Sequence, residues 1–198
     1  MKVLIACEES QTVCKAFRAR GHEAYSCDII PCSGGHPEWH IQDDVLNHLN
    51  ENWDLMIAHP PCTYLTVTGN RWFNISKYGE KALERQKLRI EALEFVKKLL
   101  DADIPKIALE NPVGAISTHI RKPDQYIQPY EFGHKDSKKT GLWLKNLPLL
   151  KPTNIVEPEY VIISGKRYSK THAYSWNNSK LRSKTYEGIA NAMAEQWR

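Results

Sequence analysis

Two apolar runs in this chain stop at prolines, WDLMIAHPPC at residues 53–62 and KIALENP at residues 106–112, and a long amphipathic segment lies between them. Proline cannot donate to a sheet ladder, so each run reads as a strand that ends where the proline stands. In the segment EKALERQKLRIEALEFVKKLLD, residues 80–101, Ile90, Leu93, Val96 and Leu100 recur at three- and four-residue spacing with charges between them, which predicts a helix. A strand, a long helix and a second strand form a parallel crossover. The same rhythm occurs upstream. KVLIAC reads as a buried first strand, QTVCKAFRARG as a helix carrying Val13, Cys14 and Phe17 and stopped by Gly21, and HEAYSCDII as a second strand. DVLNHL is a brief helical piece. The expected class is therefore α/β, a doubly wound and mostly parallel sheet.

After Pro112 the pattern changes. YIQPYEFG and TGLWLKNLP alternate and are joined by HKDSKK, which predicts an antiparallel pair at one end of the sheet. Residues 151–183 read as irregular and polar. TYEGIANAMAEQW closes the chain as a helix with Ile189, Met193 and Trp197 on one face. The 198 residues suit a single domain, 1–198, with no separate target-recognition unit. No apolar run reaches the roughly 18–20 residues that span a bilayer, and the opening MKVLIACEES is too short for a signal-peptide core. Five cysteines, an odd number without secretory context, point to a reduced cytoplasmic chain.

Polar residues gather where four strands end: Glu8 and Glu9, Asp28, His59-Pro60-Pro61-Cys62, and Glu110-Asn111-Pro112. That edge is where doubly wound sheets bind ligands. A cysteine after two prolines sits on a chain with restricted φ, and its thiolate could attack an electrophilic carbon. Glu110 on the neighbouring strand could hand a proton to the ring under attack. Cytosine C6 is an electrophile that needs this pair. The net charge of +4 is concentrated in two basic clusters, one at Lys135, Lys138, Lys139 and Lys145, the other at Lys166, Arg167, Lys170, Lys180, Arg182 and Lys184. The second cluster is interleaved with Tyr168, Tyr174 and Trp176, a composition suited to phosphate contact and base stacking.

The stretch DLMIAHPPCTYLTVTG, residues 54–69, resembles the catalytic stretch of the DNA cytosine-5 methyltransferases, and IALENP, residues 107–112, resembles that family's Glu-Asn-Val segment. The chain is most similar in kind to small phage-encoded DNA cytosine methyltransferases, over about residues 1–115. The resemblance implies a Rossmann-like methyltransferase fold, S-adenosylmethionine as cofactor, and Cys62, Glu110 and Asn111 as catalytic residues. It implies cofactor contacts from Asp28 in YSCD to the ribose and from Asp44 in QDDV to the adenine, with Glu8 and Pro60 completing the set. DNA, duplex or single-stranded, is the implied partner, with residues 151–183 or a partner subunit reading the target. Three departures stand out. The glycine-rich loop after strand 1 is replaced by Ala6-Cys7-Glu8-Glu9-Ser10, the Gln-x-Arg-x-Arg strand is missing although Gln128 and Lys138–Lys139 lie near its place, and no recognition domain follows. Two rivals are a lapsed nucleic-acid-binding module of the same fold and an enzyme acting on a free pyrimidine nucleotide. Cys27-x4-Cys32-x3-His36-x3-His40 offers metal-ligand types off the usual finger spacing, and no metal is expected.

Overall fold

The protein is described here from a computed structural model that covers residues 1–170, 173 and 184–198. Seven strands form one sheet: β1 Lys2–Ala6, β2 Glu23–Asp28, β3 His40–Gln42, β4 Leu55–Ala58, β5 Lys106–Pro112, β6 Gln125–Ile127 and β7 Thr140–Lys145. Their order is β3-β2-β1-β4-β5-β7-β6. The pairs β1–β2, β1–β4, β2–β3 and β4–β5 are parallel, and β7 runs antiparallel between β5 and β6. A mostly parallel, doubly wound sheet with its antiparallel pair at one end is the arrangement expected from the sequence. A second, two-stranded antiparallel sheet pairs β8 Tyr160–Ile163 with β9 Lys166–Ser169, so residues 151–183 are not wholly irregular.

The central strands β1, β4 and β5 are buried on both faces, and their residues alternate between two cores. Val3, Ile5, Leu55 and Ile57 pack on one side with Val13 and Phe17 of α1 Thr12–Arg18. Met193 and Trp197, at the end of the chain, join the same core; Met193 lies on α5 Glu187–Gln196. Leu4, Met56, Ile107 and Leu109 pack on the other side with Val96 and Leu99 of α3 Glu80–Leu100. Two single-turn helices, α2 Ile75–Tyr78 and α4 Ile116–His119, complete the set used below. Ile189, Met193 and Trp197 are buried as their spacing predicts, but Ile90 of α3 is 58% exposed. Only the second half of α3 covers the sheet. Its first half turns Arg85 and Arg89 toward the segment after Cys62.

Candidate active site

The order of strands reverses at β1. The chain winds outward through β2 and β3, then returns to lay β4 on the other side of β1. Such a switch point opens a crevice at the carboxyl ends of the two strands. Here that edge is closed at its base by His59, whose backbone N–H donates to Ala6 O at 2.9 Å. The parallel register sets Ala58 against Leu109, so His59 and Glu110 are the next residues out on adjacent strands. Their side chains meet, with Nδ1 of His59 3.1 Å from Oε2 of Glu110 and the side chains 9% and 16% exposed. One step further, Asn111 Nδ2 donates to Pro60 O at 2.8 Å. Asn111 therefore ties the proline pair, and with it the approach to Cys62, to the end of β5.

The turns beyond these strands are sewn together. Cys62 O accepts from the N–H groups of Leu65 and Thr66 at 3.0 Å each, which winds the chain into a turn directly after the cysteine. Leu65 O accepts from Ala115 N at 2.7 Å, Val67 N donates to Val113 O at 3.1 Å, and Thr66 bridges Gly114. Gly114 is required by this contact. A Cβ there would lie 1.9 Å from Leu65 O, far inside any van der Waals distance.

Burial alone would raise the Glu110 pKa. The His59 hydrogen bond, the Lys138 charge and the Thr140 hydroxyl outweigh it and hold the carboxyl below the usual range. Lys138, from the loop before β7, thus acts on this site through its charge. Glu8, 5% exposed, behaves in the opposite sense. Burial pushes its pKa up, against the charge of nearby His59 and the N–H groups of Val13 and Cys14. The imidazole of His59 therefore has a carboxyl-bearing neighbour toward β1 and another on β5. Nε2 of His59 and Oδ1 of Asn111 are buried polar atoms with no hydrogen-bond partner. Buried atoms left unsatisfied in this way call for an explanation, and an absent ligand or water is one.

The other half of the edge, at β1, β2 and β3, is more open. Cys7 and Gln11 hold φ of 59° and 58°, the left-handed region that glycine would occupy without strain. The loop thus makes glycine-like turns without glycine. Gln11 is buried and clamps the following loop, donating to His36 O at 2.7 Å and accepting from His36 N at 3.1 Å. Asp28 ends β2 and accepts from Ile30 N at 3.2 Å, and exposed Asp44 caps the 3-10 turn Val45–Asn47 by accepting from Leu46 N at 3.0 Å. Both carboxylates reach Cys7 electrostatically and, after burial, help drive its thiol pKa up.

Of the residues expected at the cofactor, Asp28 and Asp44 come together near Cys7. Glu8 does not join them, because its oxygens are taken by Val13 N at 2.7 Å and Cys14 N at 3.2 Å. Its contribution is the entry angle of α1. Pro60 is buried and its carbonyl engaged by Asn111. His59 is the functional candidate that motif reading left without a role. The four metal-ligand types are dispersed: the Cys27 thiol bonds Asp43 O, His36 stacks on Trp39, and His40 bonds Ser26 Oγ and Ile30 O. Of the second basic cluster and its aromatics, Tyr174, Trp176, Lys180 and Arg182 lie outside the described residues. Among the described residues, no helix is long and apolar enough to cross a membrane.

No protein-family model matches this chain, and no curated protein does. Among solved structures, it is similar to an E. coli protein encoded within a prophage and provisionally named a DNA modification methyltransferase, with 14% identity and a TM-score of 0.46. The match covers 78% of this chain and 51% of that one, so the chain spans about half that protein's length.

Proposed function

We propose that this chain transfers a methyl group to C5 of cytosine in DNA, with Cys62 as the nucleophile. The observation that carries the reading is the knot at the carboxyl ends of β4 and β5, where His59–Glu110 and Asn111–Pro60 join the turn bearing Cys62 to the end of β5. A covalent mechanism needs a nucleophile and a carboxyl group fixed relative to one planar ring, and these bonds supply that fixity. S-adenosylmethionine, when bound, supplies an electrophilic methyl group. Asp28 and Asp44 would accept hydrogen bonds from its ribose and adenine, and the left-handed turns at Cys7 and Gln11 give the loop backbone bends that a glycine loop otherwise supplies.

In this mechanism the Cys62 thiolate forms a bond to C6, and the electron pair moves onto the ring toward N3 and C5. Glu110 accepts a hydrogen bond from the exocyclic amine. Glu110 also carries to N3 the proton that neutralises the charge growing there, and His59, with Nδ1 3.1 Å from Oε2, holds the carboxyl group in place. C5 then bonds the methyl group, and loss of the C5 proton to water returns an electron pair to the ring. The C6–S bond breaks to release Cys62 as the thiolate, with the N3 proton returned to Glu110. A duplex cytosine must first leave the stack, at a cost of about a few kcal/mol.

DNA carrying 5-fluorocytosine tests the reading, since that base has no C5 proton to lose. With cofactor present it is expected to trap the protein in a covalent adduct that Cys62→Ala does not form. Tritium transfer from labelled S-adenosylmethionine to cytosine DNA gives the direct assay. Full methyl transfer by Cys62→Ala would refute the mechanism.

A further inference from the structure

Between residues 63 and 89, six Lys and Arg face only two Glu, and they are interleaved with Tyr64, Trp72, Phe73 and Tyr78. The cations form two layers with different duties. The inner layer is Arg85 and Arg89 of α3. Arg85 donates to Thr63 O at 2.8 Å and lies 4.9 Å over the Tyr64 ring. Arg89 donates to Tyr64 O and Asn70 Oδ1 at 2.7 Å each and lies 3.5 Å over Phe73. These two hold the segment that begins one residue after Cys62. The outer layer is not used in this way. Arg71 sits 4.8 Å over Trp72, Lys77 sits 5.5 Å over Tyr78, and the two rings are 5.0 Å apart. Trp72 is 42% exposed. With Asn70 and Asn74 these four residues line an open cleft of about 520 Å³.

A large exposed indole beside a second ring, each with a cation at its face, suits a polyanion that also offers flat aromatic surfaces. The Asn70 and Asn74 oxygens accept from Arg89 and from the Lys77 N–H, which leaves their Nδ2 groups as donors to base acceptors. We propose that this cleft receives the strand of DNA flanking the target base, with one unpaired base stacked on Trp72 and Tyr78 and with Arg71 and Lys77 on adjacent phosphates. The proposal rests on the reading above that DNA is the substrate. It moves the strand contact from the basic tract late in the chain to the segment leaving Cys62, where α3 ties it to the site.

A fluorescein-labelled oligothymidylate of about 12 nucleotides tests it. This ligand contains no cytosine, so binding is read apart from methyl transfer. Trp72→Ala is expected to weaken binding about 10-fold, with Trp72→Phe keeping most of it. Arg71→Glu combined with Lys77→Glu is expected to weaken it further and flatten the salt dependence by roughly 1–2 in log–log slope. Wild-type affinity in both Trp72→Ala and the charge-reversed variant, or no binding by the wild type, would overturn the proposal. Binding that depends on Trp72, without methyl transfer to cytosine DNA, leaves the cleft standing and removes the reaction. Conversely, Trp72→Ala protein that methylates with unchanged KM and binds the oligonucleotide normally removes the cleft and leaves the reaction standing.

Discussion

The two halves of the carboxyl edge are built differently. Around β4 and β5, bonds run across the gap between strands: His59 to Glu110, Asn111 to Pro60, Leu65 to Ala115, Thr66 to Gly114. Around β1, β2 and β3, the acids Asp28 and Asp44 accept from nearby backbone N–H groups, at Ile30 and Leu46, and Asp44 is exposed. Bond-making chemistry depends on geometry held within a fraction of an ångström, whereas hydrogen bonds to a flexible nucleoside tolerate adjustment. The first half is consistent with a reaction centre and the second with a holding site.

That contrast can be broken most directly at Cys62. Cys62→Ala is expected to lower methyl transfer at least about a thousand-fold while leaving the melting temperature and cofactor affinity near wild type. A loss of cofactor affinity, read by calorimetry, would mean that the halves are not separable. Next is Gly114→Ala, whose Cβ would collide with Leu65 O. It is expected to cost about 1–3 kcal/mol in urea unfolding and to depress activity beyond what the stability loss explains, because it parts the two turns. Wild-type stability would show that the turns are loosely joined. On the open side, Asp28→Ala is expected to weaken S-adenosylmethionine binding by roughly 1–3 kcal/mol with little change in stability. Equal losses in both would place Asp28 in the framework.

The smallest expected effect is one of pH, and it separates the two buried glutamates. Glu110 has a folded pKa below its unfolded value, so its contribution to stability is complete above the ordinary carboxylate range and is lost as pH falls through the lower folded value. Glu8 has a raised pKa, so its contribution is complete below the ordinary range and is lost as pH rises through the raised value. Glu110→Gln should therefore flatten the acid side of the stability profile, and Glu8→Gln the side above it. Urea unfolding followed from about pH 3 to 7 reads both slopes. Identical profiles for the two variants would show that His59 does not divide the pair.

Much of this arrangement is legible in the sequence where chemistry and periodicity coincide. The proline stop and apolar run of KIALENP mark β5 end to end, and Ile189 and Met193, with Trp197 just past the helix end, mark the buried face of α5. Other features escape for physical reasons. The three residues of β3 are too few for a period to register. Ile90 keeps the helical spacing yet faces solvent, since spacing cannot tell which half of a long helix reaches the sheet. The β8–β9 hairpin is announced by Ser164-Gly165, which adopt φ of 49° and 73° as a two-residue turn of the right twist requires, but the polar surroundings of the tract mask it. His59 was visible within its motif, but its bond to Glu110 joins residues 51 apart and depends on strand register, which no local pattern encodes.

Burial also sorts the five thiols into unequal classes. Cys14 and Cys27 are pushed up to about 12, and Cys7 is driven up as well, so under ordinary conditions these three hold their protons and resist electrophiles. Cys32 and Cys62 are half-buried and more accessible than the buried Cys14 and Cys27. In a Cys32→Ser background, a maleimide or iodoacetamide tag should therefore report on a single position, giving an optical handle on whatever occupies the crevice without further engineering of the chain.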